Sequence, residues 1–322
     1  NNIEYYNGSA WYRLISELPS SPISVAHFPS YDQIVWNWNT VVGALGYKWN
    51  SINDYSSAEE MGTIITKTET GLLCNTEYSR YVWAYNECGY SQPELMNQTT
   101  LLCFTPGSGV VDIDGNSYAT TIIGTQEWMA ENLKTTKYSD GTNISYPGNN
   151  NTDWQINING AYSWHSNDIS WKDSYGALYN WMAVVNSSGL CPVGWHIPSD
   201  SEWSQLTNFI NGGSSTGGMH LKSCRQANPL IKGSSCFTDS HPRWDYYPLT
   251  YGTNAYEFSA YPGSCRNFDG SFWDLGGGGY WWTSTFKNTT QSWFWVMSFG
   301  YPTIGHNSNF KNTGYSVRCL KN

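Results

Sequence analysis

The amino-acid sequence predicts a multidomain chain, an all-β sandwich followed by an α+β domain. Three observations carry that reading. At 322 residues the chain is too long for one small domain and suits two, at ~100–200 residues per domain. Short alternating apolar runs separated by turn signals fill the stretch up to about Thr100, the pattern of a sandwich. Helical spacing and a capping box then occur among further short strands, which indicates α+β.

The chain opens on residues 1–18, which read as an N-terminal β-hairpin extension. Ile3, Glu4, Tyr5 and Tyr6 lead into Asn7-Gly8, a strong two-residue hairpin signal, and Ser9 to Leu14 return with Trp11 and Tyr12. A lone hairpin is marginal in water and has to pack on something. Tyr5, Tyr6, Trp11 and Tyr12 are therefore candidates for contact with another subunit. The segment Leu18-Pro19-Ser20-Ser21-Pro22 punctuates the chain and starts a new module, residues 19–104.

Within that module the strands are Ile34 to Trp38, Gly46 to Asn50 and Tyr78 to Tyr85. Trp36 with Trp38, the segment Val41 to Tyr47, and Leu73-Cys74-Asn75-Thr76-Glu77-Tyr78 leading to Val82-Trp83-Ala84-Tyr85-Asn86 resemble a fibronectin type III domain. The resemblance covers about a quarter of the chain and implies a spacer or scaffold, with Trp36, Tyr78 and Trp83 as core. Cys74 and Cys88 bracket an extended strand, ~46 Å apart if straight, so they should not pair. The following strand returns from about Gln92 to Leu102, which brings Cys103 beside Cys74 and predicts that bridge.

Residues 105–109 read as a linker, and a second module spans 110–322. It begins with a hairpin at Asp114-Gly115. Leu178, Trp181, Met182 and Val185 are spaced for an amphipathic helix ending near Asn186 to Gly189. A second helix opens at Ser199, where Ser199 and Glu202 form a capping box after Pro198, and it should bury Trp203, Leu206 and Ile210.

Several strings in this module, in order, resemble the Fibrobacter succinogenes major paralogous domain, a secreted bacterial family related in pattern to C-type-lectin-like folds. They are Asp112-Ile113-Asp114-Gly115-Asn116, Gln126 to Thr135, Tyr175 to Trp181, Cys191 to Asp200, Trp281-Trp282-Thr283-Ser284-Thr285 and Ser316-Val317-Arg318-Cys319. The resemblance implies a C-type-lectin-like α+β fold and secretion, with no established chemistry. It also places Cys191 beside Cys319 and so implies that disulfide.

Composition narrows the function. The chain holds 16 Lys+Arg against 25 Asp+Glu, a formal net charge of −9, and no basic run, so it lacks what displaces counterions from phosphates. Nucleic acid is excluded as a partner, and no apolar stretch approaches the length of a membrane span. Eight Cys without a CxxC pair point to disulfides in an oxidising, extracellular or cell-surface setting. Cys224 and Cys236 flank a polar excursion and are expected to close it. Cys88 and Cys265 are left to stay free, to join the modules or to bridge to another chain.

Candidate chemistry is sparse. Asp112, Asp114 and Asn116 form an acidic turn that carries only part of a calcium loop, without the later oxygen ligands and terminal acid. A plain hairpin turn is the simpler reading, and no other cofactor is indicated. Cys265, in Pro-Gly-Ser-Cys-Arg, is the one nucleophile worth naming through the likeness of lectin-type folds to formylglycine-generating enzymes, but a structural role fits it better. His196 reads as a buried hydrogen-bonded residue. Asp245 beside Trp244 and Asp274 beside Trp273 are the acids in aromatic context. No hydrolase elbow or phosphate loop occurs, so a non-enzyme is expected.

What remains is aromatic surface, from 18 Trp and 24 Tyr. Trp154, Trp164, Trp171, Trp273, Tyr280, Trp293 and Trp295 supply planar faces among hydroxyls and amides, suited to sugar rings or to protein interfaces. Trp293 and Trp295 share one strand face, which packs equally well as core. The leading expectation is an extracellular structural or adhesive subunit of a surface fibre, self-associating or joining other surface proteins through its hairpin. The alternative is a monomeric glycan-binding module for polysaccharide, with Trp273, Tyr280, Trp293 and Trp295 as its site.

Overall fold

A computed structural model of the chain divides into two units, residues 1–103 and 104–322. The structure describes every residue except 1, 2, 7, 10, 15, 16, 31, 102, 103, 212–215, 228, 230–235, 249 and 274, and does not describe the side chains of 3–6, 11–14 and 211. Strands dominate and helices are few and short.

The first unit starts with β1 (Ile3–Tyr6) and β2 (Trp11–Leu14), an antiparallel pair that forms a sheet of its own. Their last paired residues are Tyr6 and Trp11. Four residues thus separate the strands where Asn7-Gly8 predicts two. Then come β3 (Phe28–Pro29), β4 (Gln33–Asn37), β5 (Gly46–Asn50), β6 (Glu59–Gly62), β7 (Thr66–Thr70), β8 (Glu77–Asn86), β9 (Gly89–Tyr90) and β10 (Glu94–Thr99). They build two antiparallel sheets, β3-β4-β7 and β10-β8-β5-β6, with β9 also on β8.

Alternation explains the sandwich: in β4, Ile34 and Trp36 are buried while their neighbours are not, so one face of each sheet turns inward. Trp36, Trp38, Trp49, Val82 and Met96 fill the core, an aromatic solution for a chain poor in aliphatics. Trp83 is buried as well, against Tyr55 and Tyr81. Tyr78, expected in the core, is half-buried at the start of β8, and its hydroxyl accepts the Leu73 N–H at 2.8 Å. That is the corner tyrosine typical of immunoglobulin-like sandwiches. Cys74 is disulfide-bonded, and Cys103, its expected partner, lies outside the described residues.

The second unit holds β11 (Thr105–Pro106), β12 (Val110–Val111), β13 (Ser117–Tyr118), β14 (Thr120–Ile123), β15 (Gln126–Met129), α1 (Asn151–Ile156), β16 (Tyr162–Ser163), α2 (Lys172–Tyr175), β17 (Leu178–Tyr179), α3 (Trp181–Val184), β18 (Trp195–His196), α4 (Asp200–Asn211), α5 (Gly217–Leu221), β19 (Gly278–Phe286), β20 (Gln291–Ser298), β21 (Gly305–Phe310) and β22 (Leu320–Lys321). Its two larger sheets run β11-β14-β15-β22-β18 and β19-β20-β21. The expected linker 105–109 is in fact partly sheet, since Thr105 and Pro106 pair with Ile122 and Thr121.

The helix predicted over 178–185 shrinks to the single turn α3. Asn180 is the reason: its Oδ1 accepts from Ala161 N at 2.9 Å and Ala183 N at 3.1 Å, so it caps a helix start and leaves Leu178 and Tyr179 to pair with β16. Helix α4 follows the capping-box reading. Glu202 Oε2 accepts the Ser199 N–H at 2.7 Å, Ser199 Oγ accepts the Glu202 N–H at 3.3 Å, and Trp203, Leu206 and Ile210 are buried.

Four of the six strings that carry the family likeness meet at one amide. Asn132 Oδ1 accepts from Trp281 Nε1 at 2.9 Å and Arg318 Nε at 3.0 Å, and its Nδ2 donates to Tyr175 O and Ser316 Oγ. Gly176 lies against the same residue at φ +73, where a Cβ would sit 2.7 Å from the Asn132 side chain. Residues nearly two hundred positions apart are thus cross-linked in a buried network. Cys191 is bonded to Cys319, Cα atoms 5.9 Å apart, and Cys224 to Cys236. Cys88 is free and exposed, Cys265 free and buried.

Burial raises the pKa values of Tyr118, Tyr175, Tyr179 and Tyr315, and pushes Tyr280 up to about 12. An acid whose folded pKa lies above its unfolded value stabilises below the unfolded value and loses that contribution as pH rises past it. Lys222 works the other way over a lower window. Its buried amine is pulled down to about 8, so its penalty eases as pH climbs from there toward the free-lysine value. Arg318 and Arg266, pulled down by burial to about 9 and about 10, ease in the same way at higher pH, but the five tyrosines outweigh them, so we expect the second unit to hold its stability to about pH 10 and then lose several kcal/mol by about pH 12. Thermal melts from pH 7 to 12 check this; a midpoint flat across that range would contradict it.

Candidate functional site

The glycine run Gly276 to Gly279 gathers three separate segments. Gly276 O accepts from Asp245 N at 3.0 Å, Gly277 O from Phe299 N at 3.0 Å and Gly278 O from Ser264 N at 2.9 Å. Side chains at three of the four positions would collide: a Cβ on Gly276 would lie 2.6 Å from the Asp245 carboxylate, one on Gly278 2.8 Å from the Tyr280 hydroxyl, and one on Gly279 2.7 Å from the Tyr261 carbonyl. Gly277 faces open space. The result is a cleft of about 540 Å³ walled by Phe272, Trp273, Tyr280 and Phe299, with Asp245 among its lining residues.

Two predicted ligand residues, Trp273 and Tyr280, meet here. Trp273 is 58% exposed and is held by its backbone, with Trp273 O accepting from Ser264 Oγ at 2.8 Å. Asp245 pairs with Arg243 at 2.9 Å, so the cleft offers one neutralised carboxylate beside an indole face. Asp274 lies outside the described residues. Cys265 is buried, burial pushes its thiol up to about 12, and a thiol so protonated is a poor nucleophile.

Trp293 and Trp295 belong elsewhere. In β19 and β20, Tyr280 and Trp282 pair with Val296 and Phe294, while Trp281 pairs with Trp295. Alternation therefore puts Trp295 on the opposite sheet face from Tyr280. There it stacks on Trp203 of α4 at 6.1 Å, donates to Asp200 Oδ1 at 3.0 Å, and is only 8% exposed. His306 lies between Trp293 and Trp295 at 4.6 and 4.7 Å, its Nε2 2.7 Å from Asp200 Oδ1. Lys287 covers the outer face of Trp293 at 4.6 Å. These rings are packing, and the four-residue sugar site splits into two.

Other expected sites are also used structurally. Trp154 and Trp164, read as surface, are buried, with Arg266 over Trp154 at 4.4 Å. His196 is half-buried rather than buried, held by Glu202 at 2.9 Å and Asn322 at 2.7 Å. In the acidic turn, Asp112 Oδ1 accepts from Asp114 N and Asn116 N, and its Oδ2 from Asn116 Nδ2 and the Tyr118 hydroxyl. Asp114 Oδ2 accepts from Thr136 N and Oγ1, and Lys137 lies 3.2 Å from its Oδ1. Protein donors and a lysine occupy these oxygens, as in a built turn. Among the described residues no cluster of three or more His, Cys, Asp or Glu is placed to hold a metal, and no helix is long and apolar enough to cross a membrane. Sequence reasoning missed Phe272, Phe299 and Ser264 as cleft walls, because only the glycine hub brings them together.

The family model described as the Fibrobacter succinogenes major domain matches residues 122–321, more than half of the chain. The chain belongs to the Fibrobacter succinogenes major domain family. The matched span starts within β14 and takes in Asn132, Trp281, Ser316 and Arg318, so the family's span contains the buried network above. Comparison with curated proteins finds no match. Solved structures similar to the chain are fibronectin type III domains matching its N-terminal region. "Structure of FN3tt mut" is 22% identical, covering 26% of this chain and 97% of that one, at a TM-score of 0.22. The FN5 domain of Drosophila Lar is 20% identical over 26% and 97%, at 0.21. The fn3 domain of human collagen alpha-1(XX) chain is 21% identical over 32% and 100%, at 0.24.

Proposed function

We propose that this member of the Fibrobacter succinogenes major domain family is a non-enzymatic, extracellular structural or adhesive protein, a subunit of a bacterial surface fibre joined through its N-terminal hairpin. One observation supports this most: β1 and β2 pair with each other and with no other strand among the described residues. A two-stranded hairpin is marginal alone, and a neighbouring subunit would stabilise it by strand addition. Head-to-tail contacts of that kind build filaments where their rotation does not close a ring. Disulfides suit the extracellular setting. Deleting residues 1–18 is expected to leave a folded monomer in sedimentation velocity where the full chain forms larger species. Equal assembly by both would contradict the reading.

A second reading rests on Trp273. An exposed indole at a glycine-floored cleft suits a sugar ring, and the second unit is then a C-type-lectin-like reader, a view favoured by α4 packed under the β19-β20-β21 sheet. On this reading Trp273→Ala weakens polysaccharide binding roughly 10- to 100-fold, about 1.4–2.8 kcal/mol, without lowering the melting temperature. Trp295→Ala instead destabilises the fold by about 3–5 kcal/mol. Titration of both variants against a polysaccharide panel and thermal melts separate these effects; an unchanged Trp273→Ala affinity would remove the cleft as the site.

A further inference from the structure

We infer that the free edge of β10 (Glu94–Thr99) is the surface of one copy that receives the β1–β2 hairpin of the next; this rests on the fibre reading above and names its acceptor. An edge strand presents unpaired backbone donors and acceptors, and proteins guard such edges with prolines, charges, short strands or covers. Apart from the hairpin itself, the other sheet edges among the described residues carry such guards. β3 and β11 are two residues long and contain Pro29 and Pro106. β18 has two residues, as does each strand of the pairs β12–β13 and β16–β17. β6 carries Glu59 and Glu60 beside a register irregularity. On β7, Glu69 turns in to Arg80 and the Trp36 indole, and Lys67 is tied to Glu59.

The two long edges of the second unit are also closed. β19 is covered by the segment that carries Ser316, through Ser316 N to Tyr280 O and Trp282 N to Ser316 O. Along β21, Asn307 Oδ1 accepts the Ser308 N–H and Asn309 Oδ1 the Phe310 N–H, both at 2.8 Å. Those asparagines occupy donors that an added strand would need.

β10 differs on each count. It is six residues long, contains no proline and no lysine or arginine, and keeps unbroken register with β8 from Glu94↔Val82 to Thr99↔Glu77. Its one charge, Glu94, is folded back to accept the Ser24 N–H at 3.0 Å. Beyond that point, among the described residues, the Thr99 carbonyl is the only backbone group of the strand engaged by a side chain, that of Gln98 at 3.1 Å. Leu95 stands 49% exposed on it. A strand of six residues spans ~20 Å and the four-residue hairpin strands ~13 Å, so either fits within the edge.

The occupant is a second copy because the hairpin, the one two-stranded sheet of the first unit among the described residues, brings the matching unpaired backbone. Two β10 edges could also pair directly, and that arrangement is an outcome of the test. Hydrogen exchange on the full chain, below and above its assembly concentration, is expected to slow the amides of 94–99 and of 3–14 together while those of 305–310 stay unchanged. Leu95→Lys with Asn97→Lys places guards on exposed positions of the edge. It is expected to weaken assembly at least about tenfold with an unchanged melting temperature.

If deletion of 1–18 abolishes assembly but exchange at 94–99 does not slow, the fibre reading stands and this inference falls. Slowing at 94–99 without slowing at 3–14 means edge-to-edge pairing and overturns the hairpin as occupant. A full chain that stays monomeric overturns both. Should the lysine variant fail to fold, the exchange experiment on the unaltered chain decides alone.

Discussion

Replacing Arg318 with methionine is expected to destabilise the second unit by about 3–5 kcal/mol, a large share of a domain's ~5–15 kcal/mol. Arg318 is 1% exposed. Its guanidinium donates to Asn132 Oδ1, Met129 O, Phe258 O and Ser259 O, and lies over the Phe258 ring at 4.3 Å. Among the described residues no carboxylate pairs with it in a salt bridge, and desolvation pulls its pKa down to about 9, so it stays charged at neutral pH. Methionine fills much of the volume but takes away the donors of the Phe258 and Ser259 carbonyls, while Asn132 Oδ1 keeps Trp281 Nε1, and unmet buried acceptors cost more than the bond itself is worth. Arg318→Lys should recover only part of the loss, since one ammonium cannot reproduce a planar fork. Denaturant melts of both variants check this; a Met variant within about 1 kcal/mol of the parent would contradict it.

Removing the Cys191–Cys319 bridge as Cys191→Ala with Cys319→Ala is expected to cost the same unit about 3–5 kcal/mol in the chain-entropy picture. The bond spans a sequence separation of 128, so it restricts the unfolded chain strongly. It also anchors β22, which lies between β15 and β18 and pairs with them through Leu320 and Lys321, with Cys319 O accepting from Met129 N beside them. Both cysteines are buried, so alanine additionally leaves small voids. In the double variant the second unit's transition should move down while the first unit's, whose own bonded Cys74 is untouched, keeps its midpoint. Loss of the first transition instead of the second would contradict this assignment.

Much of the fold is legible in the sequence because its signals are local. The alternation around Ile34 and Trp36, the capping box at Ser199 and Glu202, and the short excursion between Cys224 and Cys236 each act within a few residues. The helix over 178–185 misleads because spacing alone ignores Asn180, whose side chain finds two backbone donors and stops the pattern. The candidate site is legible only in part. Trp273 and Tyr280 are aromatic and named, but the cleft depends on three backbone hydrogen bonds to consecutive glycines, which no composition signal carries. Trp293 and Trp295 look identical on the strand, and only α4 and His306 on their face decide that they are packing. Trp154 likewise reads as surface until Arg266 and the Asn267 carbonyl are brought against it.

The central claim is assembly through the N-terminal hairpin, and negative-stain electron microscopy of the unboiled full chain beside the same chain lacking residues 1–18 tests it most directly. Filaments from the full chain and dispersed single particles from the shortened one are the predicted pair of results. Dispersed particles from both, or filaments from both, would contradict it.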